Sequence, residues 1–528
     1  MSKTVKILLI GGGLFIGAVL FSWFWFNRHT SDVHLKYIPK NAAAVFSIHN
    51  LEIASKIDAS ELEALKPADN AVNDIPDFML NIISDPMATG IDPIRNFYGF
   101  VVKEKQSTVS ALVVAVNDEG DFTSFAEKMF PERKAEDLGS FNYLEIDDAR
   151  GLAWNRDAAI FVSADGADVR AYTESLFAQT EDESIKADTS FAGFNAKSFD
   201  AGLWTNNNRL SVLNSETSPL GMLGMADGNS QFFLRFEQNE IVAEYVAPKQ
   251  TSASIFRTAG LSEADLQLLG TKDPLIYIGM NVDVKNLLAS AGTDPAMKAN
   301  VEMMTGAMGM TDQQMEELFT GSVVVAVSDY KNIFETDPRV KQELMGNLGD
   351  MGDTPLAQEF INSASIEVPV TAISLGITDE RKATDIMTMI GMKKMDENFW
   401  AAPGIDLVIY TVITPTHMVI TNDYLTAQEI AKNGKLSGKL PADYAQKIPL
   451  QSFSLYMDFE KSHLPALLLA PEQPILSQED LAAYVALSGI ISSVRFESTP
   501  VSSRFHFMMP DGKGNSLMRV LQYLQSAK

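Results

Sequence analysis

The chain has 528 residues, 46% of them hydrophobic and 21% charged, with 42 Lys and Arg against 68 Asp and Glu for a formal net charge of -26. That apolar content excludes disorder as the main state, and so acidic a surface would repel phosphate backbones, which sets nucleic acid aside as a partner. Cysteine is absent, removing disulfides, thiolate nucleophiles, Cys-ligated zinc, iron–sulfur clusters and any Cys-linked lipid.

Residues 1–6 read as a cytoplasmic tail. Residues 7–26, ILLIGGGLFIGAVLFSWFWF, carry no charge. As a helix rising about 1.5 Å per residue, such a run crosses a hydrocarbon core of about 30 Å. It therefore predicts a transmembrane signal anchor that begins at Ile7 and places Trp23 and Trp25 at the headgroup level. Lys3 and Lys6 hold the tail inside, so the expected location is the inner membrane, single-pass, with the bulk in the periplasm. The run ends in bulky aromatics instead of a small-residue cleavage site, which favours an uncleaved anchor. Gly13 and Gly17 form a GxxxG pattern, which lets two helices approach and makes a homodimer through the anchor an expectation.

Residues 27–34 are a polar tether. A strand signal follows at 42–49 (AAAVFSIH), then helical spacing of apolar residues over 53–65. Residues 99–102 and 109–116 are β-rich and bounded by turn or charged residues. Residues 121–130 carry Phe122, Phe125, Met129 and Phe130 on one helical face. Strands and helices alternate in this way to the end, with no Pro-rich or Gly/Ser-rich linker.

Six segments recur in the same order. AVFSIHN (44–50) resembles LIYIGMN (275–281), and GFVV (99–102) resembles GSVV (321–324). VSALVVAVNDE (109–119) resembles VTAISLGITDE (370–380), and IFVSAD (160–165) resembles MVITND (418–423). AGLW (201–204) resembles SLYM (454–457), and LRFE (234–237) resembles VRFE (494–497). Each match is weak alone; the shared order points to an ancestral unit. The expected fold class is therefore α+β: an N-terminal transmembrane helix followed by two tandem-duplicated mixed α+β units with antiparallel sheets, at 35–250 and 265–528.

The segments LKYIPKNAAAVFSIHNLEIASKI, DESIKADTSFAGFNAKSFDAGLWTNNNRL, SQFFLRFEQNEIVAEY and KDPLIYIGMNVDVKNLL resemble a Bacteroidota family known only as a domain of unknown function, number 4836. The resemblance covers most of the chain after the anchor and implies an exported protein. Family members are often lipoproteins, and this chain departs from them in having no cysteine to acylate. The resemblance supplies no activity, cofactor or catalytic residue.

The six histidines, His29, His34, His49, His417, His463 and His506, show no H-x-x-x-H or H-E-x-x-H spacing, and no G-x-S-x-G elbow, Walker loop or Rossmann fingerprint is present. Asp118, Glu119 and Asp121, with Asp379 and Glu380 in the matching turn, read as charge at helix N-termini, since the calcium-loop pattern is missing. Methionine is the one enrichment, with 24 residues. Met297, Met303, Met304, Met308, Met310 and Met315 form one cluster, and Met387, Met389, Met392 and Met395 another. Packing in helices is the plain reading. The functional one makes Met303, Met304, Met308 and Met310 a candidate surface for apolar clients, because flexible thioethers line adaptable grooves. No cofactor, metal or catalytic residue is expected. The function expected is a membrane-anchored, non-enzymatic binding or scaffold module with an envelope protein as partner. The alternatives are a chaperone or carrier for apolar polypeptides or lipids, and a hydrolase whose residues are scattered in sequence.

Overall fold

The computed structural model describes residues 32–56, 89–104, 107–164, 166–213, 228–248, 255–269, 272–291, 298–299, 301–302, 305–306, 309–339, 367–403, 408–459, 489–499, 502–510 and 515–520. Two compact units divide the chain, Met1–Arg235 and Phe236–Lys528.

The first unit contains β1 (Ala44–Ile48), α1 (Asn50–Ala54), β2 (Phe97–Glu104), β3 (Ser107–Ala115), α2 (Glu119–Met129), β4 (Glu136–Asp137), β5 (Asn142–Asp147), β6 (Arg150–Trp154), β7 (Ala158–Ala164), α3 (Val169–Ala178), α4 (Thr189–Asn195), β8 (Ala201–Asn206) and β9 (Asn229–Phe236). Its strands pair antiparallel in the order β4-β5-β6-β7-β3-β2-β1-β8-β9.

The second unit contains β10 (Glu240–Val246), α5 (Glu263–Leu266), β11 (Ile276–Asn281), α6 (Asp312–Leu318), β12 (Phe319–Asn332), β13 (Glu367–Ile377), α7 (Glu380–Met389), β14 (Lys393–Asp396), β15 (Phe399–Pro403), β16 (Val408–Ile413), β17 (His417–Thr421), α8 (Tyr424–Asn433), β18 (Phe453–Asp458), β19 (Ser493–Ser498) and β20 (Ser502–Met508). Its order is β14-β15-β16-β17-β13-β12-β11-β18-β19-β20-β10, again antiparallel throughout. The first nine positions of this order use strands of the same rank as in the first unit. Of the segments compared in the sequence, 44–50 and 275–281 carry β1 and β11, and 201–204 and 454–457 lie on β8 and β18.

The expected fold class needs correction. The described residues are mostly antiparallel sheet, with twenty strands, and no helix among them is long and apolar enough to cross a membrane. The longest, α2, has 11 residues, which at about 1.5 Å each spans only about half of a bilayer core. Residues 7–26, with Ile7, Gly13, Gly17, Trp23 and Trp25, lie outside the described residues.

Local chemistry sets these helices. The Asp118 side chain accepts the Asp121 amide at 2.9 Å and caps α2, whose Phe122, Phe125 and Ala126 are buried. Asp379 accepts the amides of Arg381 at 2.8 Å and Lys382 at 3.2 Å and caps α7. A carboxylate there meets two otherwise unpaired donors. Thr311 and Gln314 form a capping box for α6. At the start of β12, Gly321 has φ +94, and a Cβ there would lie 1.8 Å from the Val282 carbonyl oxygen. Only glycine fits that bend.

Candidate apolar binding surface

Residues directly opposite in neighbouring strands share a face, and so do residues two apart along a strand. Applied to the second unit, the registers give a cross-strand row Ile420–Ile373–Val325–Ile278–Leu455–Phe496–Phe505–Ala243 over eight strands. The rows on either side include Val327, Ile276, Met457, Val494 and Phe507, and then Leu375, Val323, Met280, Phe453, Ser498 and Ser503. None of these side chains is charged.

The opposite face of the same strands is different. It buries Tyr277, Ala326 and Tyr456 against Leu261, Tyr444 and Ile448, and it carries Arg495, Glu497, Arg504 and His506. Arg495 pairs with Asp443, Arg504 with Glu244 at 2.9 Å, and His506 with Glu240 at 2.9 Å. One face is thus sealed and ion-paired; the apolar face is half-buried at Ile276, Ile278, Met280, Val325, Leu455 and Phe496, and its Leu455, Met457 and Phe507 pack with Phe459, Ile491 and Val494. Phe505 is 42% exposed. Aromatic rings run along it: Phe453 lies 5.5 Å from Phe496, and Phe496 lies 4.3 Å from Phe505, between ring centres.

At the other end of this face α6 and α7 close over the sheet. Met310, Met315, Leu318, Ile386 and Met387 pack there with Trp400 and Met418, and Leu375 and Ile420 join from the sheet. Between the two helices is a cleft of about 280 Å³ lined by Met310, Leu318, Ile386 and Met389, with Glu317, Lys382 and Asp385 also in its wall. Lys382 and Glu317 form an ion pair at 2.9 Å. Gly309 turns with φ +61, and a Cβ on it would meet the Met389 methyl at 3.2 Å. The chain thereby brings Met310 beside Met389 from the other methionine cluster. Met389 is 59% exposed, whereas Met310 is buried. Met303, Met304 and Met308 lie outside the described residues.

The first unit has the same kind of row, Leu144–Leu152–Phe161–Leu112–Gly99–Phe46–Leu203–Phe232. There α2 covers the end at Leu144, Leu152 and Trp154, and Phe46 is 42% exposed.

Three of the four described histidines are buried, and none joins a group of three or more potential metal ligands among the described residues. His34 donates through Nε2–H to the Asn96 carbonyl, 2.7 Å away. His49 stacks on Phe199 with ring centres 3.8 Å apart. Burial pushes both below the usual histidine value, against the opposing pull of Asp32 and other groups nearby. His417 was not singled out from the sequence, and it is the most connected. Its Nε2 lies 2.8 Å from Asp265 Oδ1, and its Nδ1 lies 2.9 Å from Thr416 Oγ1. Asp265 also accepts the Ser262 amide and hydroxyl, each at 2.6 Å, and the Ser322 hydroxyl. Burial alone would raise this carboxyl; the hydrogen bonds from His417, Ser262 and Ser322 outweigh it and hold the group at about 2. A carboxylate already accepting four donors is an anchor of α5 against β12 and β17.

Comparison with known proteins adds a family. The model of a family described as a domain of unknown function, DUF4836, matches residues 35–336. No curated protein matches the chain. Among solved structures, crystal forms I and III of TP0453 are each 10% identical, with 42% of this chain and 81% of that chain covered and a TM-score of 0.27. Crystal form IV covers 41% and 81% at 10% identity, with a TM-score of 0.26. At such scores the likeness carries no argument about fold or function.

Proposed function

The chain belongs to the DUF4836 family, and we propose that it is a non-enzymatic binding module of the cell envelope that holds an apolar partner at the Phe505 end of the apolar sheet face of its second unit. One observation carries this reading: the row from Val325 through Ile278, Leu455 and Phe496 to Phe505 has no charged member and stays half-buried, and Phe505 is 42% exposed. Leu455, Met457 and Phe507 pack against Phe459, Ile491 and Val494, so the driving force left over from folding lies at Phe505, and exposed apolar surface beside a core of this kind supports a binding site. The Met310–Met389 cleft at its end supports the same reading, since thioether side chains adjust to varied apolar shapes. The saturated Asp265 carboxylate leaves His417 in a structural role, which supports a binding module over a hydrolase. The compartment in this reading, the inner membrane with the bulk in the periplasm, rests on the uncharged run of residues 7–26 in the sequence.

The test is binding of a solvatochromic apolar dye such as N-phenylnaphthylamine to the full chain. Saturable fluorescence enhancement is expected, and Phe505→Lys should weaken it about tenfold, the equivalent of losing one buried aromatic contact. Absence of saturable binding, or a Phe505→Lys variant that binds unchanged, would sink the reading. Fractionation of cells with external protease access checks the compartment separately; a chain recovered wholly in the cytosol would overturn that part.

A further inference from the structure

We propose that the first unit carries an acid-opened switch: a row of rings, His34–Tyr98–Phe191–Phe194–Phe199–His49, is closed at each end by a neutral histidine, and protonation of the two histidines frees the aromatic rings between them. The switch goes beyond the binding reading above and uses none of its residues.

The row is continuous. Its ring centres are 5.3 Å apart from His34 to Tyr98, 6.4 Å from Tyr98 to Phe191 and 5.7 Å from Phe191 to Phe194. They are 4.9 Å apart from Phe194 to Phe199 and 3.8 Å from Phe199 to His49, which stack. His34 comes from the short helical turn Val33–Tyr37, and His49 is the residue before α1. Tyr98 stands on β2, and Phe191 and Phe194 on α4. All six rings are buried.

The two end rings have no place for a second proton. His34 donates through Nε2–H to the Asn96 carbonyl, and its Nδ1 is buried with no hydrogen-bond partner; His49 Nε2 is buried in the same state. An imidazolium must donate from both nitrogens. The carboxylates that face the rings are already engaged. Asp32, which acts on both histidines, accepts the Tyr98 hydroxyl at 2.5 Å and the Asn96 amide at 3.1 Å. Asp92 on the His34 side lies 3.5 Å from Arg95, which itself repels a charged ring. On the His49 side Glu52 accepts the Ser198 hydroxyl at 3.0 Å, and Asp200 pairs with Lys56 at 2.8 Å. Asn195 beside His49 favours the charged ring, but its Oδ1 already accepts the Tyr98 hydroxyl at 2.9 Å. Burial prevails at both rings and holds them below the ordinary histidine value of 6.5.

The sign follows. Groups that bind protons less readily when folded add stability above 6.5 and lose it as pH falls, so acid favours the open form, and two such groups steepen the response. The elements that would give way are short. α1 has 5 residues and α4 has 7, too few to persist as helices once their packing is lost. Opening is therefore local, and it uncovers Phe194 and Phe199, surface that the neutral chain conceals.

The experiment follows the fluorescence of bis-ANS with the full chain from pH 7 to pH 5, and hydrogen exchange by mass spectrometry over the same range. Dye emission should rise several-fold with a midpoint below 6.5. Peptides over 189–199 should lose about tenfold in protection after correction for intrinsic rates, while those over 119–129 keep theirs. The His34→Gln, His49→Gln double variant should show neither change, since a Gln amide can replace the donor to Asn96 and takes up no proton. Phe505→Lys should keep the full acid-dependent rise, which separates the switch from the binding reading. An emission that stays flat, or a rise that persists in the double variant, overturns the proposal. So does equal loss of protection over 119–129, which is general unfolding. If the double variant is unfolded at pH 7 by circular dichroism, ring-proton NMR of the native chain decides. Titration of His34 and His49 in step with the loss of protection supports the switch, and titration without that loss overturns it.

Discussion

His417 Nε2 lies 2.8 Å from Asp265 Oδ1 although the two residues are 152 positions apart. Both are almost completely buried, at 5% exposure each. Through Ser322 and Ser262 the same carboxylate also ties β12 to the start of α5. Removing it leaves a buried imidazole and two hydroxyls without their acceptor. Asp265→Ala should therefore destabilise the chain by about 3 kcal/mol. Urea unfolding followed by tryptophan fluorescence checks this, and a change below about 1 kcal/mol would contradict the anchoring role.

Acid should dissolve the same anchor. The folded carboxyl sits at about 2, below its ordinary value of 3.8. A depressed acid contributes stability above its unfolded pKa and loses it as pH falls toward the folded one. The contribution of Asp265 is expected to be whole at pH 5 and to fade between about pH 4 and pH 2, by about 2 kcal/mol in total. Thermal unfolding across that window should be steeper with pH in the native chain than in Asp265→Asn. Parallel curves would be the contrary result.

In the first unit the sensitivity lies at higher pH. His34 and His49 are held below the ordinary histidine value by burial, with Asp32 pulling both upward, Glu52 and Asp200 facing His49, and Arg95 and Asp92 facing His34. A histidine whose folded pKa is lowered contributes stability above its unfolded value near 6.5 and loses it as pH falls through the folded pKa. Hydrogen exchange at Ile53, whose amide bonds the His49 carbonyl at 3.1 Å, should speed up between pH 7 and pH 5 after correction for intrinsic rates. His49→Gln should blunt that acceleration. Equal protection at both pH values would argue against it.

Oxidation should sort the methionines. Met389 is 59% exposed and Met395 38%, while Met387 and Met315 are each 3% exposed. Mild peroxide should convert Met389 and Met395 to sulfoxides several times faster than Met315 and Met387, because reagent access controls the rate. Peptide mass mapping at short times reads the order. A sulfoxide at Met389 makes the cleft wall polar, so dye binding should fall in step with it if the cleft contributes.

Much of the local structure was legible before the fold. The strand expected at 42–49 is β1, the one at 109–116 is β3, and the helix expected at 121–130 is α2 with its Asp118 cap. These follow from alternation and capping, which act within a few residues. The helix expected over 53–65 is described only as Asn50–Ala54, and the rest of that stretch lies outside the described residues. The apolar face was not legible, because β11 reads Ile276, Tyr277, Ile278 with no polar residue to mark its two sides. Only register separates Tyr277, buried at 0%, from its half-buried neighbours. The Asp265–His417 bond and the meeting of Met310 with Met389 were hidden for the same reason: they join elements that only the sheet order brings together.

The strands at the two ends of the strand order, β4 and β14, have a bearing on self-association. β4 is two exposed acidic residues, Glu136 and Asp137, and β14 is four exposed residues including Lys393, Lys394 and Asp396. Short, charged margins refuse the backbone docking by which sheets extend from molecule to molecule. A long antiparallel ladder rich in β-branched and aromatic residues could otherwise extend into ordered fibres, since each free edge offers unpaired backbone groups to the next molecule. The lysines of β14 act as gatekeepers, keeping that margin from becoming a template for its own kind.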